Sequence, residues 1–286
     1  MANTTTIIKP APAKINLMLR ILGKRSDGYH NLQTVFQFIG LEDILTFNLT
    51  FDGKITLTGD QVSTNAEENI IYLAAKKLHQ NFANNRGVTI NLEKNIPIGA
   101  GLGGGSSDAA TTLVVLNQLW DLQYSQKQLM DIGVKLGADV PVFIYGKSSW
   151  GEGVGEQLKP ITIAEEWYVV IIPNCSISTA KIFCHSELTR DSNPITMSQF
   201  FAGNMINDCE ELVRKIHLEV DYAMSWLSNY SKSYLTGTGS CIYAKLNNED
   251  DASNIVKQLP DNLLGFVTKG CNTSSLFQNN WDVAKR

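Results

Sequence analysis

Pro97-Ile98-Gly99-Ala100-Gly101-Leu102-Gly103-Gly104-Gly105-Ser106-Ser107 decides how this chain is read. Glycine dominates the stretch and two hydroxyl residues close it. Upstream, Val88 to Glu93 alternates apolar and polar residues, as a half-buried strand does. Downstream, Ala109, Leu113, Leu116, Leu119 and Trp120 recur at helical spacing without an interrupting proline. The spacing predicts a helix over Asp108 to Trp120, with Ser106 and Ser107 as candidate caps. Strand, glycine loop and helix N-terminus together make an anion site. The first N–H groups of a helix lack intrahelical partners, and the helix dipole adds partial positive charge there. Glycines let successive amides turn toward one guest, and phosphate is the natural one.

Known glycine motifs narrow the choice. A Walker loop needs Gly-Lys-Ser/Thr, and no lysine lies inside this loop. Gly99-x-Gly101-x-x-Gly104 has the dinucleotide spacing, with Asp121 about twenty residues beyond Gly101. However, Asp121 follows Trp120 at the end of the same helix, not at the end of a second strand, and the preceding strand is amphipathic. A protein-kinase loop shares the spacing, but no V-A-I-K or H-R-D set follows. A plain glycine-rich turn is the remaining structural alternative.

The 286 residues suffice for one large or two ordinary domains, and 43% hydrophobic with 18% charged residues is a soluble globular balance. A net charge of -4 gives no electrostatic basis for gripping nucleic acid. No apolar run approaches the ~18 residues of a membrane span, and Met1 to Thr6 lacks the features of a secretory leader. Cys175, Cys184, Cys209, Cys241 and Cys271 are odd in number and form no C-x-x-C, which fits a reducing, cytoplasmic setting. His30, His79, His185 and His217 form no H-E-x-x-H, so no tightly held metal is expected.

Around the loop, Ile7 to Ile21 reads as extended, Gly23 to Gly28 as a turn, and Tyr29 to Phe38, Asp43 to Leu49 and Lys54 to Thr58 as strands, the last two joined around Asp52-Gly53. Glu67 to Phe82 reads as a helix. Ser125-Gln126-Lys127-Gln128 is a capping box opening a helix that stops near Gly137. Val140 precedes a proline and is expected to be extended, followed by a short strand over Val142 to Tyr145. Ser148 to Gly155 suggests a hairpin. Trp167 to Ile172 reads as a strand, Ser178 to Phe183 as a short helix, Glu187 to Met197 as a polar loop, and Asn207 to Leu227 as one or two helices. Thr236-Gly237-Thr238-Gly239-Ser240 is a second glycine loop before a strand over Cys241 to Leu246. Asp250 to Leu259 reads as a helix and Leu263 to Val267 as a strand. The boundary between halves is placed at 157/158.

Taken in order, Pro12-Ala13-Lys14-Ile15-Asn16-Leu17, the Pro97 to Ser107 loop and Thr236 to Ser240 resemble the three motifs of the galactokinase, homoserine kinase, mevalonate kinase and phosphomevalonate kinase superfamily. The resemblance spans essentially the whole chain. It implies a two-domain α+β architecture, with an N-terminal half (1–157) like domain 2 of ribosomal protein S5 and a ferredoxin-like C-terminal half (158–286). It implies ATP, with a magnesium ion bound mainly through the nucleotide. Gly23 to Leu32 resembles the branch whose alcohol substrate carries a cytidine diphosphate group. Ala100 stands where the family commonly has glycine, which a negative φ would permit, and Thr238 where serine is frequent.

The resemblance also implies roles. Pro97, Ile98, Gly99, Ala100, Gly101, Leu102, Gly103, Gly104, Gly105, Ser106 and Ser107 would cradle the nucleotide, the serines touching phosphate or the metal's shell. Apart from the resemblance, Lys94, just ahead of the loop, is placed to reach a phosphate or the base, and Asp108, which a triphosphate would repel, is expected to point away from it. Asp139, read as following a helix C-terminus, becomes the catalytic base, and Lys14 its partner. An ammonium nearby favours the carboxylate form and stabilises a developing alkoxide. Without the resemblance, Lys14 is a solvated strand lysine and Asp139 a turn residue. Asn16 would bond the substrate, Tyr29, His30 and Phe183 would hold a cytosine ring, and Gly237, Thr238 and Gly239 would bring backbone to its diphosphate or buttress the ATP loop. The functional alternatives are another small-molecule kinase of the superfamily, such as a homoserine or mevalonate kinase, and a nucleotide-binding sensor without catalysis. A monomer or weak homodimer is expected.

Overall fold

The spine of the computed structural model, which describes residues 5–60, 66–80, 85–278 and 284–285, is an antiparallel pair of long strands, β1 (Thr5–Lys24) and β2 (His30–Thr50). The separate extended segments anticipated over Tyr29 to Phe38 and Asp43 to Leu49 merge into β2. The register of the pair shifts between Pro12 and Lys14, and again between Asn16 and Met18. Each shift bends a strand and re-aims its side chains. These two bracket Lys14, Ile15 and Asn16 and turn both polar side chains inward, leaving Lys14 only 2% exposed.

The chain continues through β3 (Ile55–Gly59), α1 (Ile70–His79), β4 (Gly87–Glu93), α2 (Gly104–Leu119), α3 (Gln126–Gly133), α4 (Val140–Tyr145), β5 (Ser149–Glu152) and β6 (Gln157–Pro160). β4 pairs with β2, and β3 runs parallel to β4, so the Asp52-Gly53 turn does not close a hairpin. α1 is shorter than Glu67 to Phe82: Asn69 caps it by accepting the Ile71 N–H, and Phe82 lies outside the described residues. The Ser125 capping box is present at α3, and β5 and β6 form a hairpin whose return strand lies beyond the Ser148 to Gly155 range expected for it. Ile71, Leu78, Leu113 and Leu116 pack on Leu45, Phe47 and Ile90 of the sheet, each such burial being worth about 1.5–3 kcal/mol.

Two local expectations fail at the site. Helix α2 starts at Gly104, not Asp108; Gly103 is its N-cap, so Ser106 and Ser107 lie within the first turn and do not cap it. The run Val140 to Tyr145 is helix α4, not a strand. Pro141 sits in its first turn, where a fixed φ and a missing N–H cost nothing. Asp139 therefore occupies a helix N-cap, electrostatically favourable for a carboxylate, and not the exposed end of the preceding helix.

The second half comprises β7 (Trp167–Ile172), α5 (Thr179–Cys184), α6 (Met197–Phe201), α7 (Glu210–Ile216), α8 (Leu218–Leu227), β8 (Ser233–Leu235), β9 (Ile242–Leu246), α9 (Glu249–Val256), β10 (Leu264–Cys271) and β11 (Ala284–Lys285). Asn207 to Leu227 is thus two helices, broken at the extended His217. Strands β10, β7, β9 and β8 lie side by side in that order, all antiparallel. Pairing of Gly270 with Ile39 and of Cys271 with Phe38 joins this sheet to β2. The result is the α+β architecture anticipated. A core made from both halves, including Ile15, Met18, Leu102, Tyr168 and Tyr243, fills the seam. Among the described residues no helix is long and apolar enough to cross a membrane.

Candidate active site

A cleft of about 570 Å³ draws its walls from β1, the glycine loop, the start of α2, Asp139, α5 and the second glycine loop. Gly99, Gly101 and Gly103 have φ of +68°, +76° and +76°, a region side chains rarely enter. Packing makes the same demand at Gly101, where a Cβ would lie 2.4 Å from the Thr236 carbonyl oxygen. Ala100 has a negative φ, so its methyl is accommodated. The loop is tied down from both sides: Lys14 N–H donates to the Leu102 carbonyl (3.0 Å) and Cys241 N–H to that of Ala100 (3.0 Å). Pro97 to Gly101, Gly103 to Gly105 and Ser106 line the cleft, while Leu102 and Ser107 are buried. Among the described residues the Ser107 hydroxyl has no hydrogen-bond partner. A concave run of amides at a helix N-terminus, with an unpartnered buried hydroxyl behind it, fits a phosphate chain. The hydroxyls of Ser106 and Ser107 are the groups there that could meet a magnesium ion carried by phosphates.

At one end of this cradle the Lys14 ammonium lies 3.1 Å from Asp139 Oδ2. It also donates to Asn16 Oδ1 (2.6 Å) and to the Gly101 carbonyl (3.1 Å). The lysine is buried, and the carboxylate side chain keeps 35% exposure, open to the cleft. Asn16 is oriented in turn: its amide donates to Thr34 Oγ1, and its backbone N–H donates to Thr236 Oγ1. The three motifs, far apart in sequence, therefore meet through a few hydrogen bonds. Gly237, Thr238 and Gly239 line the same cleft, and Thr238 and Thr179 share a hydroxyl hydrogen bond of 2.9 Å.

Lys94 lines the cleft, but its ammonium contacts Asp43 and lies 2.8 Å from Asp108 Oδ2. Asp108 turns into this buried cluster. Burial with a second carboxylate nearby pushes its pKa up to about 7, against the pull of Lys94. One ammonium serves two carboxylates, and Asp108 Oδ1 has no partner among the described residues.

The proposed cytosine-holding residues are brought together unevenly. His30 is buried and stacks on Phe183, with centroids 5.2 Å apart and planes at 30°. Arg190, which the sequence reading missed, donates to His30 Nε2 (3.2 Å) and to the Phe183 carbonyl (2.9 Å). Burial and that guanidinium hold the His30 pKa below its ordinary value. Phe183 and Leu32 reach the cleft wall, whereas Tyr29 is 60% exposed on the β1–β2 loop. Elsewhere Cys175, His217 and Glu219, linked by no sequence spacing, bring a thiol, an imidazole and a carboxylate within 4.8 Å, donors suited to a thiophilic cation.

Residues 69–147 match the GHMP kinases N terminal domain and residues 193–263 the GHMP kinases C terminal domain. A 4-diphosphocytidyl-2-C-methyl-D-erythritol kinase of Aliivibrio salmonicida is 48% identical over 275 residues, which is 96% of each chain. One from Shewanella denitrificans is 48% identical over 94% of this chain and 95% of its own. A crystal structure of 4-(cytidine 5'-diphospho)-2C-methyl-D-erythritol kinase superposes with a TM-score of 0.79 at 29% identity, over 92% of this chain and 99% of that one. With the loop, the ion pair and both domains accounted for, the chain belongs to the GHMP kinase family.

Proposed function

We propose that this protein is an ATP-dependent kinase that phosphorylates the 2-hydroxyl of 4-diphosphocytidyl-2-C-methyl-D-erythritol, a step of the non-mevalonate route to isoprenoid precursors. The observation that carries the mechanism is the Lys14–Asp139 pair, 3.1 Å across and open to the cleft beside the glycine loop. Phosphoryl transfer to an alcohol asks the protein for positioning and for charge stabilisation more than for covalent chemistry. ATP supplies the phosphoryl group, and magnesium on its phosphates offsets their charge.

The chain's own residues do the rest. Amides of Gly99 to Ser107 hold the phosphates. Asp139 accepts the proton of the substrate hydroxyl as its oxygen attacks, and Lys14 faces the negative charge that develops on that oxygen. Asn16, held by Thr34, bonds the substrate alcohol. His30 and Phe183 shape the cytosine end, with Tyr29 closing over it from the β1–β2 loop. Gly237, Thr238 and Gly239 present backbone to the diphosphate, and residues 1–157 carry the nucleotide while residues 158–286 complete the substrate side.

The test offers the purified protein ATP with the cytidyl alcohol, mevalonate or homoserine in turn. Turnover restricted to the cytidyl alcohol is expected. Turnover on either of the others, without it, would move the chain to another branch of the family, and ATP binding without any turnover would leave a sensor.

A further inference from the structure

Asp43, Lys94 and Asp108 lie outside the chemistry just described, yet they join the two stems of the glycine loop. Their side chains are 0%, 6% and 3% exposed. One oxygen of Asp43, Oδ1, accepts the N–H groups of Asn95 (2.6 Å) and Ile96 (2.7 Å), the residues entering the loop. Its other oxygen contacts the Lys94 ammonium, which is also 2.8 Å from Asp108 Oδ2 on α2, just past the loop's exit. Gly104 is shaped to this arrangement. Its φ is not positive, but a Cβ there would lie 2.9 Å from Lys94 Nζ and 2.9 Å from Ile96 Cγ2. That glycine makes room for the lysine head.

We infer that Lys94 is a positioning residue: clamped between Asp43 and Asp108, its ammonium fixes the entry and exit of the loop 97–107 relative to each other and does not itself ligate the nucleotide. It also sets a positive charge against the Asp108 carboxylate, which would otherwise stand uncompensated beneath the phosphates. This rests on reading the loop as the ATP cradle. A buried ammonium between two carboxylates is costly to withdraw, because both would be left without a counter-charge in a low-dielectric site.

Three variants test the clamp. The Asp43→Asn side chain keeps an oxygen for the two amides but turns an amide NH2 toward the ammonium. Lys94→Met removes the ammonium. The triple Asp43→Asn, Lys94→Met, Asp108→Asn has no unpaired buried charge and serves where a single variant fails to fold. Steady-state kinetics are paired with hydrogen exchange of the 97–107 amides without nucleotide. The clamp predicts a KM for ATP raised tenfold or more in Asp43→Asn and Lys94→Met alike. It also predicts a cytidyl-alcohol KM within twofold, kcat within threefold, and faster exchange across the loop. If Lys94 instead binds the nucleotide directly, Asp43→Asn frees it: ATP KM stays native or falls, exchange stays native, and only Lys94→Met weakens ATP. That pattern, or native ATP KM and exchange in the triple variant, overturns the inference. Absence of turnover in the native protein would remove the kinase reading instead, while exchange in Asp43→Asn still decides the clamp.

Discussion

Replacing Lys14 by Met keeps a straight, unbranched side chain, one atom shorter, and removes its charge. In the structure that ammonium serves three acceptors: Asn16 Oδ1 at 2.6 Å, the Gly101 carbonyl at 3.1 Å and Asp139 Oδ2 at 3.1 Å. Asp139 remains partly solvated and is satisfied by water, but Asn16 is buried and its Oδ1 is left without its donor. An orphaned buried acceptor costs about 1–3 kcal/mol. Part of this is offset, because a buried cation no longer has to be desolvated. A fall in melting temperature of a few degrees is therefore expected, with the fold retained. The effect on rate is larger. Losing a preorganised donor aimed at developing charge costs about 10²–10³ in kcat. The ATP-holding amides are untouched, so the KM for ATP should stay within about threefold. The assay is steady-state turnover at saturating ATP and cytidyl alcohol, alongside calorimetric unfolding. A Lys14→Met protein that folds and retains a kcat within tenfold of native would refute the argument that Lys14 stabilises charge on the attacking oxygen.

Further outcomes follow from the same geometry. Gly101→Ala places a methyl 2.4 Å from the Thr236 carbonyl oxygen at a φ of +76°, and should raise the KM for ATP at least tenfold while Ala100→Gly changes it less than twofold, by the same assay. Phe183→Ala should raise the KM for the cytidyl alcohol by roughly 5- to 150-fold, the range of about 1–3 kcal/mol per stacked base, and leave the ATP KM unmoved. Asp108 titrates about 7 in the folded chain against an ordinary 3.8, so its contribution to stability is complete below 3.8 and is lost as pH rises through 7. Melting temperatures from pH 4 to 8 should show native protein falling progressively relative to Asp108→Asn; a constant gap would contradict this.

The loop and its flanking strand and helix could be read from residues because each carries a local signal: alternation in Val88 to Glu93, glycine repetition, and helical spacing after it. The same holds for the capping box at Ser125, whose partners are three residues apart. Failures occurred where the deciding forces are non-local. Lys14 reads as a solvated strand residue until two register shifts against β2, set by the pairing partner, turn it inward. The run Val142 to Tyr145 is too short for periodicity to separate strand from helix, and Pro141, which biases Val140 toward extended backbone, fits the first turn of a helix equally well. Because this run is helix α4, Asp139 stands at a helix N-terminus that favours a carboxylate and not past a C-terminus that would disfavour one. Asp43 lies 51 positions from Lys94, and Arg190 lies 160 positions from His30 within a polar loop, so neither contact has a sequence signature.

The centre of the account is that Asp139 receives the proton of the substrate hydroxyl. Asp139→Asn preserves the shape of the side chain and removes that ability. Nucleotide binding, followed by titration calorimetry with a non-hydrolysable ATP analogue, should remain within threefold of native, while kcat on the cytidyl alcohol falls by about 10²–10⁴. An amide at position 139 that sustains near-native turnover would show that the proton leaves by another path and that the Lys14–Asp139 pair is only a structural contact.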